Sequence, residues 1–262
     1  MDLNKYANFK LELKDKVLTA TINRPEALNS IDNPTEKALI SILQDGAMDD
    51  SFNVLVITGA GRAFSAGGDI GFMQKVIDNP ELFDTSVAKR TVFSLIDFPK
   101  PIIAKVNGHA IGLGATIALF CDIIYASSEA KFGDPHVNVG FAAGDGGCII
   151  WPQLIGFNRA KEYLLTGDLI PAAEAERIGL INHCVAPGEL DAVVDAMAQR
   201  LAKGATQSIN YTKQAANIGL KIVADAVMDA SIAYEKLTNS TADHQEAVTA
   251  FLAKRKPVFT GK

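Results

Sequence analysis

Two glycine-rich stretches, Gly59-Ala-Gly-Arg-Ala-Phe-Ser-Ala-Gly-Gly-Asp-Ile70 and Lys105-Val-Asn-Gly-His-Ala-Ile-Gly-Leu-Gly-Ala115, each follow a short apolar run. Glycine lets a backbone turn sharply and come close to a ligand, and a peptide N–H at a helix start favours negative charge. Each stretch therefore reads as a strand that hands over to a helix through a turn with outward-facing N–H groups. A tight turn alone would explain either stretch taken singly; it is their joint pattern that points to a ligand site.

The rest of the chain repeats this alternation. Phe9 to Ile22 alternates apolar and polar residues on both sides of Lys14-Asp-Lys16, which predicts a hairpin. Helical spacing from Asn33 to Met48 precedes the apolar strand Val54–Thr58. A helical segment from about Leu82 to Ile96, a break at Phe98-Pro-Lys-Pro101 and the strand Ile102–Val106 form a second unit. Helical spacing from Gly114 to Phe120 then gives way to the strand Ile123–Ala126. Strands alternating with helices imply an α/β layered core with largely parallel pairing.

Beyond Gly144 helices dominate, at Cys148–Ile155, Arg159–Leu165, Ala172–Ile178, Glu189–Lys203 and from Ser208 onward. Pro171 sits where a first-turn proline would, and Gly156, Gly167 and Gly179 sit where helices stop. The division expected is a core over residues 1–205 and a C-terminal helical subdomain over 206–262. Ile218, Leu220, Ile222, Val223 and Val227 would either complete the core or form a subunit interface.

With 262 residues and 48% hydrophobic content the chain can bury a large core. No window approaches the roughly 18 consecutive apolar residues of a membrane span, and Met1 to Lys10 lacks the apolar stretch of a signal peptide, so a cytoplasmic protein is expected. Cys121, Cys148 and Cys184 are odd in number, widely spaced and flanked by apolar residues, which favours buried free thiols over disulfides or a metal site. A net charge of −5 argues against nonspecific nucleic-acid binding but is compatible with a phosphorylated small ligand.

Five motifs occur in order: Asn23-Arg-Pro-Glu-Ala-Leu-Asn29, Ala63-Phe-Ser-Ala-Gly-Gly-Asp-Ile70, Lys100-Pro-Ile-Ile-Ala-Lys-Val-Asn-Gly-His-Ala-Ile-Gly-Leu-Gly114, Cys121-Asp-Ile-Ile-Tyr125 and Ala130-Lys-Phe-Gly133. With them the chain resembles, essentially end to end, the enoyl-CoA hydratase/isomerase (crotonase) superfamily. The resemblance implies a spiral of repeated ββα units and a C-terminal helical region that forms trimers, often paired into hexamers. It also implies an acyl-CoA thioester as substrate and no cofactor beyond the coenzyme A that the substrate carries. The N–H groups of Gly68 and Leu113 would hold the thioester oxygen, each worth roughly 3–4 kcal/mol to a developing oxyanion. Contacts to coenzyme A would come from Ala27, Leu28, Ala66, Asp69 and Ile70, with Arg24 and Lys75 either near the phosphates or solvated surface residues, and a neighbouring subunit's Phe251 and Lys254 over the nucleotide.

The resemblance fails at the catalytic side chains. Relatives place two glutamates at the positions that match Thr116 and His136, and a threonine hydroxyl is too weak an acid or base to work alone. Attention moves to Gly140-Phe-Ala-Ala-Gly-Asp-Gly-Gly147, where Asp145 is the leading acid/base and a helix N-cap is its competing reading. His136, whose imidazole titrates near neutral pH, would relay a proton or fix Asp145; a packed structural histidine is its competing reading. His109 is read as support for the oxyanion loop and Asp134 as a turn-bonding residue. His183 and His244 lie in no motif.

The activity expected is that of a hydratase-like lyase or isomerase on a non-standard acyl group. The open alternatives are a hydrolase, a decarboxylase and a noncatalytic acyl-CoA-binding protein.

Overall fold

The computed structural model describes residues 1–82 and 84–262. The hairpin of β1 (Phe9–Lys14) and β2 (Val17–Ile22) opens the chain. Asp15 and Lys16 both take positive φ, 48° and 65°, as a two-residue turn that matches the strand twist requires. Asp32 then caps α1 (Asn33–Ala47) by accepting from the Thr35 N–H.

Three similar passes follow. The first comprises β3 (Val54–Gly59), β4 (Ala63–Ser65), α2 (Ile70–Asp78) and α3 (Thr85–Asp97); the second, β5 (Ile102–Val106), β6 (His109–Ile111) and α4 (Leu113–Leu119). The third runs through β7 (Ile123–Ser127), β8 (Lys131–Gly133), a 3-10 turn at His136–Val139 and α5 (Gly147–Ile155). The remainder comprises α6 (Phe157–Thr166), β9 (Ile170–Pro171), α7 (Ala172–Arg177), β10 (His183–Val185), α8 (Leu190–Ala202), α9 (Thr206–Asn239) and α10 (Ala242–Leu252).

Each pass gives one strand to each of two sheets. The larger has the order β1-β2-β3-β5-β7-β10 and is parallel from β2 onward; the smaller has the order β4-β6-β8-β9, with only β9 antiparallel. This is the expected spiral of ββα units, with a helical C-terminal region. The apolar runs of β3 and β5 are continuous because both faces of the large sheet are covered. On β3, Leu55 and Ile57 enter the main core with Leu39, Ile42, Phe98 and Trp151. Val54 and Val56 face a second cluster with Leu190, Val194 and Ala198 of α8.

Several sequence expectations need correction. The helix expected from about Leu82 begins at Thr85 behind an Asp84 cap, and the helix that the first glycine stretch hands over to is α2, for which no bounds were expected. Pro171 precedes α7 as its N-cap residue instead of opening its first turn. Only Cys121 is a buried thiol; Cys148 is exposed and Cys184 half-buried, although all three are free. The apolar residues of α9 divide: Leu220, Val223 and Val227 pack on the core, whereas Ile218 and Ile222 face outward. No described helix is long and apolar enough to cross a membrane.

Candidate active site

The two glycine loops meet. Gly67, with φ 86°, precedes Gly68; Gly112, with φ 52°, precedes Leu113 and caps α4. A Cβ on Gly67 would stand 2.6 Å from the Ile111 carbonyl oxygen, so only glycine lets the loops approach this closely in this conformation. The isolated bridge between Ile31 and Gly68 uses the N–H groups of Ile31 and Asp69, which leaves that of Gly68 outside the pairing. Leu113 opens α4, so its N–H has no acceptor within the helix. Among the described residues neither N–H has a hydrogen-bond acceptor, and both residues line one cleft.

Asn29 ties the first loop to the turn before it. Wholly buried, it donates from its amide to the Ala60 and Ala63 carbonyls and accepts from the Arg24 N–H, while its own carbonyl accepts from the Ser65 hydroxyl. The Asn23–Asn29 motif is thus the clamp that holds the Ala63–Ile70 loop. Ala27 and Leu28 lie half-buried on that turn, and Ala66 donates its N–H to the Leu28 carbonyl, so the residues expected around coenzyme A form one neighbourhood. Asp69 caps α2 and accepts from Ser30 and Arg24; these bonds and the Phe72 N–H hold its carboxyl below the ordinary range despite burial. Ile70 begins that helix. Arg24 spans Asp32, Asp69 and the Ser30 carbonyl, so its guanidinium works inside the turn. Lys75, Phe251 and Lys254 are exposed.

Beside the Gly112 turn, where a Cβ would stand 3.6 Å from His136 Cε1, lies a row of three buried side chains that the end of β8, the 3-10 turn and the loop before α5 bring together. Asp134 Oδ1 bonds His136 Nδ1, and His136 Nε2 lies 3.4 Å from Asp145 Oδ2. The Thr116 hydroxyl donates to Asp145 Oδ1 at 3.3 Å. Asp145 is therefore not a helix cap: Gly146 is the N-cap of α5 and no side chain caps it. Asp134, read as a turn-bonding residue, orients the imidazole instead. Burial opposes charge on His136, but Asp134 and Asp145 outweigh it and hold its pKa well above the ordinary histidine value. At neutral pH the imidazole is therefore held as imidazolium between the two aspartate side chains. These three groups are also where a cation could bind, with ligand atoms within 4.8 Å of one another. Both imidazole nitrogens, however, already face a carboxylate.

Two further carboxyl groups in the cleft escaped the sequence reading. Glu36 of α1 accepts from the Thr91 hydroxyl, and burial pushes it up to about 7 against that bond, with Asp145 adding to the rise. Glu235 of α9 is pushed up to about 8 by burial and by Asp145, with His136 opposing. The only available signal was an acidic residue on the apolar stripe of an amphipathic helix. His109 is exposed on β6, His183 stacks on Tyr125, and His244 is buried, with Nδ1 2.7 Å from the Val139 carbonyl and its ring on Phe141.

A ββα spiral with two glycine-loop amides open to one cleft defines a crotonase-type fold. The family model for enoyl-CoA hydratase/isomerase matches residues 12–262. A crotonyl-CoA hydratase of Syntrophomonas wolfei is 39% identical, over 98% of this chain and 99% of its own length. A 1,2-epoxyphenylacetyl-CoA isomerase of Escherichia coli is 36% identical, over 94% of this chain and 95% of its own. Among solved structures, an enoyl-CoA hydratase/isomerase from Mycobacterium paratuberculosis superposes with a TM-score of 0.88 at 34% identity, over 92% of this chain and 97% of its own. The chain belongs to the enoyl-CoA hydratase/isomerase family.

Proposed function

We propose that this protein is an acyl-CoA-processing enzyme, a lyase or isomerase that forms a thioester enolate in the Gly68/Leu113 oxyanion hole and moves its protons with Asp145 and His136. One observation carries the reading: two N–H groups without an acceptor open on the same cleft as a buried Asp–His–Asp row.

In the isomerase direction Asp145 takes a carbon-bound proton, the electron pair moves onto the thioester oxygen between the two N–H groups, and a proton returns to a different carbon. In the hydratase direction Asp145 takes a proton from water as the oxygen bonds the β-carbon, and imidazolium His136 gives its Nε2 proton to the α-carbon. The contact between Asp145 and Nε2 then returns the proton to the imidazole. Thr116 orients Asp145, and Asp134 keeps the ring charged and fixed.

This arrangement differs from a pair of glutamates, so the reading includes a non-standard acyl group and slow turnover of crotonyl-CoA. The reaction uses no cofactor beyond the substrate's coenzyme A, in the cytoplasm. A trimer, alone or paired, is the assembly proposed, and the exposed Tyr234, Leu237 and Phe251 of the C-terminal helices are available for it.

Exchange of α-protons into deuterated water, followed by mass spectrometry over saturated and unsaturated acyl-CoAs, tests the mechanism. Exchange in the native protein that Asp145→Asn abolishes is the expected result. Thioesters that bind without exchanging, or exchange that survives the substitution, would sink it.

A further inference from the structure

The buried stripe of α9 runs Met228, Ser231, Ile232, Glu235, Asn239, at the three- and four-residue spacing of one helix face. Ser231 docks this face by donating to the Gly144 carbonyl, two peptide units before Gly146. Its last two positions carry polar groups where a core helix would carry apolar ones. Glu235 is 8% exposed and Asn239 7%, and both line the cleft that also holds Gly68, Leu113, His136 and Asp145.

Neither has what a buried polar group needs. Asn239 Oδ1 is buried without a hydrogen-bond partner. Among the described residues the Glu235 carboxyl has no hydrogen bond or ion pair, although four nearby ionisable groups act on it through space. Native proteins rarely leave a buried atom such as the Asn239 oxygen unpaired unless a water or ligand completes it, and the Glu235 carboxyl opens on the same cleft. The two stand one helical turn apart, against a wall of Ile232 and Phe141. Protonated at neutral pH, Glu235 offers an O–H donor, and the Asn239 amide oxygen offers an acceptor. A hydroxyl group satisfies both at once, accepting from the first and donating to the second.

The charge of the lining narrows the class further. It includes Asp32, Glu36, Asp69, Asp84, Asp145 and Glu235, with no lysine or arginine. The one cation of the lining, the His136 imidazolium, already faces Asp134 and Asp145, so a carboxylate-ended acyl chain would enter this wall without a free counter-ion.

We propose that the acyl group of the substrate carries a hydroxyl in its distal part, held by Glu235 and Asn239, and that carboxylate-ended acyl-CoAs are excluded. The inference rests on the cleft being the acyl site. A site built around a hydroxyl rejects the analogue that lacks it far more strongly than an apolar pocket rejects a methylene.

The test uses enoyl-CoAs of several matched lengths ending in methyl, hydroxymethyl, carboxylate or aminomethyl groups. Calorimetric affinity and α-proton exchange are measured for the native chain, Asn239→Leu and Asn239→Ala. At one length the hydroxyl compound should bind and turn over at least about tenfold better than the methyl one, and the carboxylate compound at least about tenfold worse. Both variants should erase the hydroxyl advantage while the methyl compound keeps its native affinity, a readout that disturbed folding would not give. Methyl compounds that bind and exchange as well as hydroxyl ones would overturn this inference and leave the enolate reading standing, as would a preference for the ammonium or carboxylate. If no thioester binds, both readings fall together.

Discussion

The two walls of the cleft are built on different principles. One is backbone: the Gly68 and Leu113 N–H groups are aimed by glycine conformations and locked by the Asn29 clamp, so their positions depend little on any side chain that touches substrate. The other is entirely side chain, with His136, Asp145, Glu36 and Glu235 drawn from three separate parts of the chain and Asp134 buried behind the imidazole. On the proposed reading the first wall serves any thioester and the second is particular to the reaction of this chain. A thioester oxygen poses the same problem in every substrate, whereas the acid, the base and the acyl contacts follow the particular reaction.

The sharpest way to break this comparison is to remove chemistry without touching the hole. Asp145→Asn should lower turnover by about 10³-fold while the Kd for an acyl-CoA stays within about twofold, measured by single-turnover kinetics and calorimetry. Comparable losses in both would mean that Asp145 binds substrate and is not the base.

Gly112→Ala attacks the other wall. It places a side chain at φ 52° and ψ −125°, which only glycine adopts without strain, and should tilt the Leu113 N–H away from the oxyanion. A fall in turnover of about 10²-fold is expected, with the pH–rate profile unchanged in shape. A moved profile would show that the two walls are not independent.

Asp134→Asn separates positioning from chemistry. It removes one of the two carboxylates that raise the His136 pKa, so the imidazolium would be lost at lower pH. The alkaline limb of the pH–rate profile should shift downward, with turnover reduced about tenfold at neutral pH. An unmoved limb would assign the acid to another group.

The smallest effect concerns stability. The folded-state pKa of Glu235 lies above its unfolded value, so folding takes up a proton between about pH 4.5 and 8 and stability falls as pH rises through that window. Glu235→Gln should flatten that part of the melting-temperature profile and raise stability above pH 8 by a few kcal/mol at most, on the order set by such a shift. An unchanged slope in thermal melts across that range would place the penalty elsewhere.

The legibility of the chain divides along the same line. Strands such as β3 and β5 announced themselves as unbroken apolar runs, and helices such as α1 and α8 through apolar residues at helical spacing. Strands β4, β6 and β8 have three residues each, too few for any period, so the second sheet was invisible before the fold brought them side by side. Asp145 and His136 were singled out through the motifs around them, whereas the contact that Asp134 makes was not foreseen. Its bond to a residue only two positions away depends on the turn geometry at Pro135. Glu36 and Glu235 lie 199 positions apart on helices with no motif, and only packing puts them in one cleft.

What the sequence determined by itself was the scaffold and the backbone wall. Both rest on local rules: apolar runs at strand or helix spacing, and glycine where no other residue tolerates the turn. The tertiary structure alone decided which carboxyl groups meet, which are buried, and hence which hold or lose their protons. The energy of a charge depends on the solvent and neighbours around it, and a linear order of residues does not contain those distances.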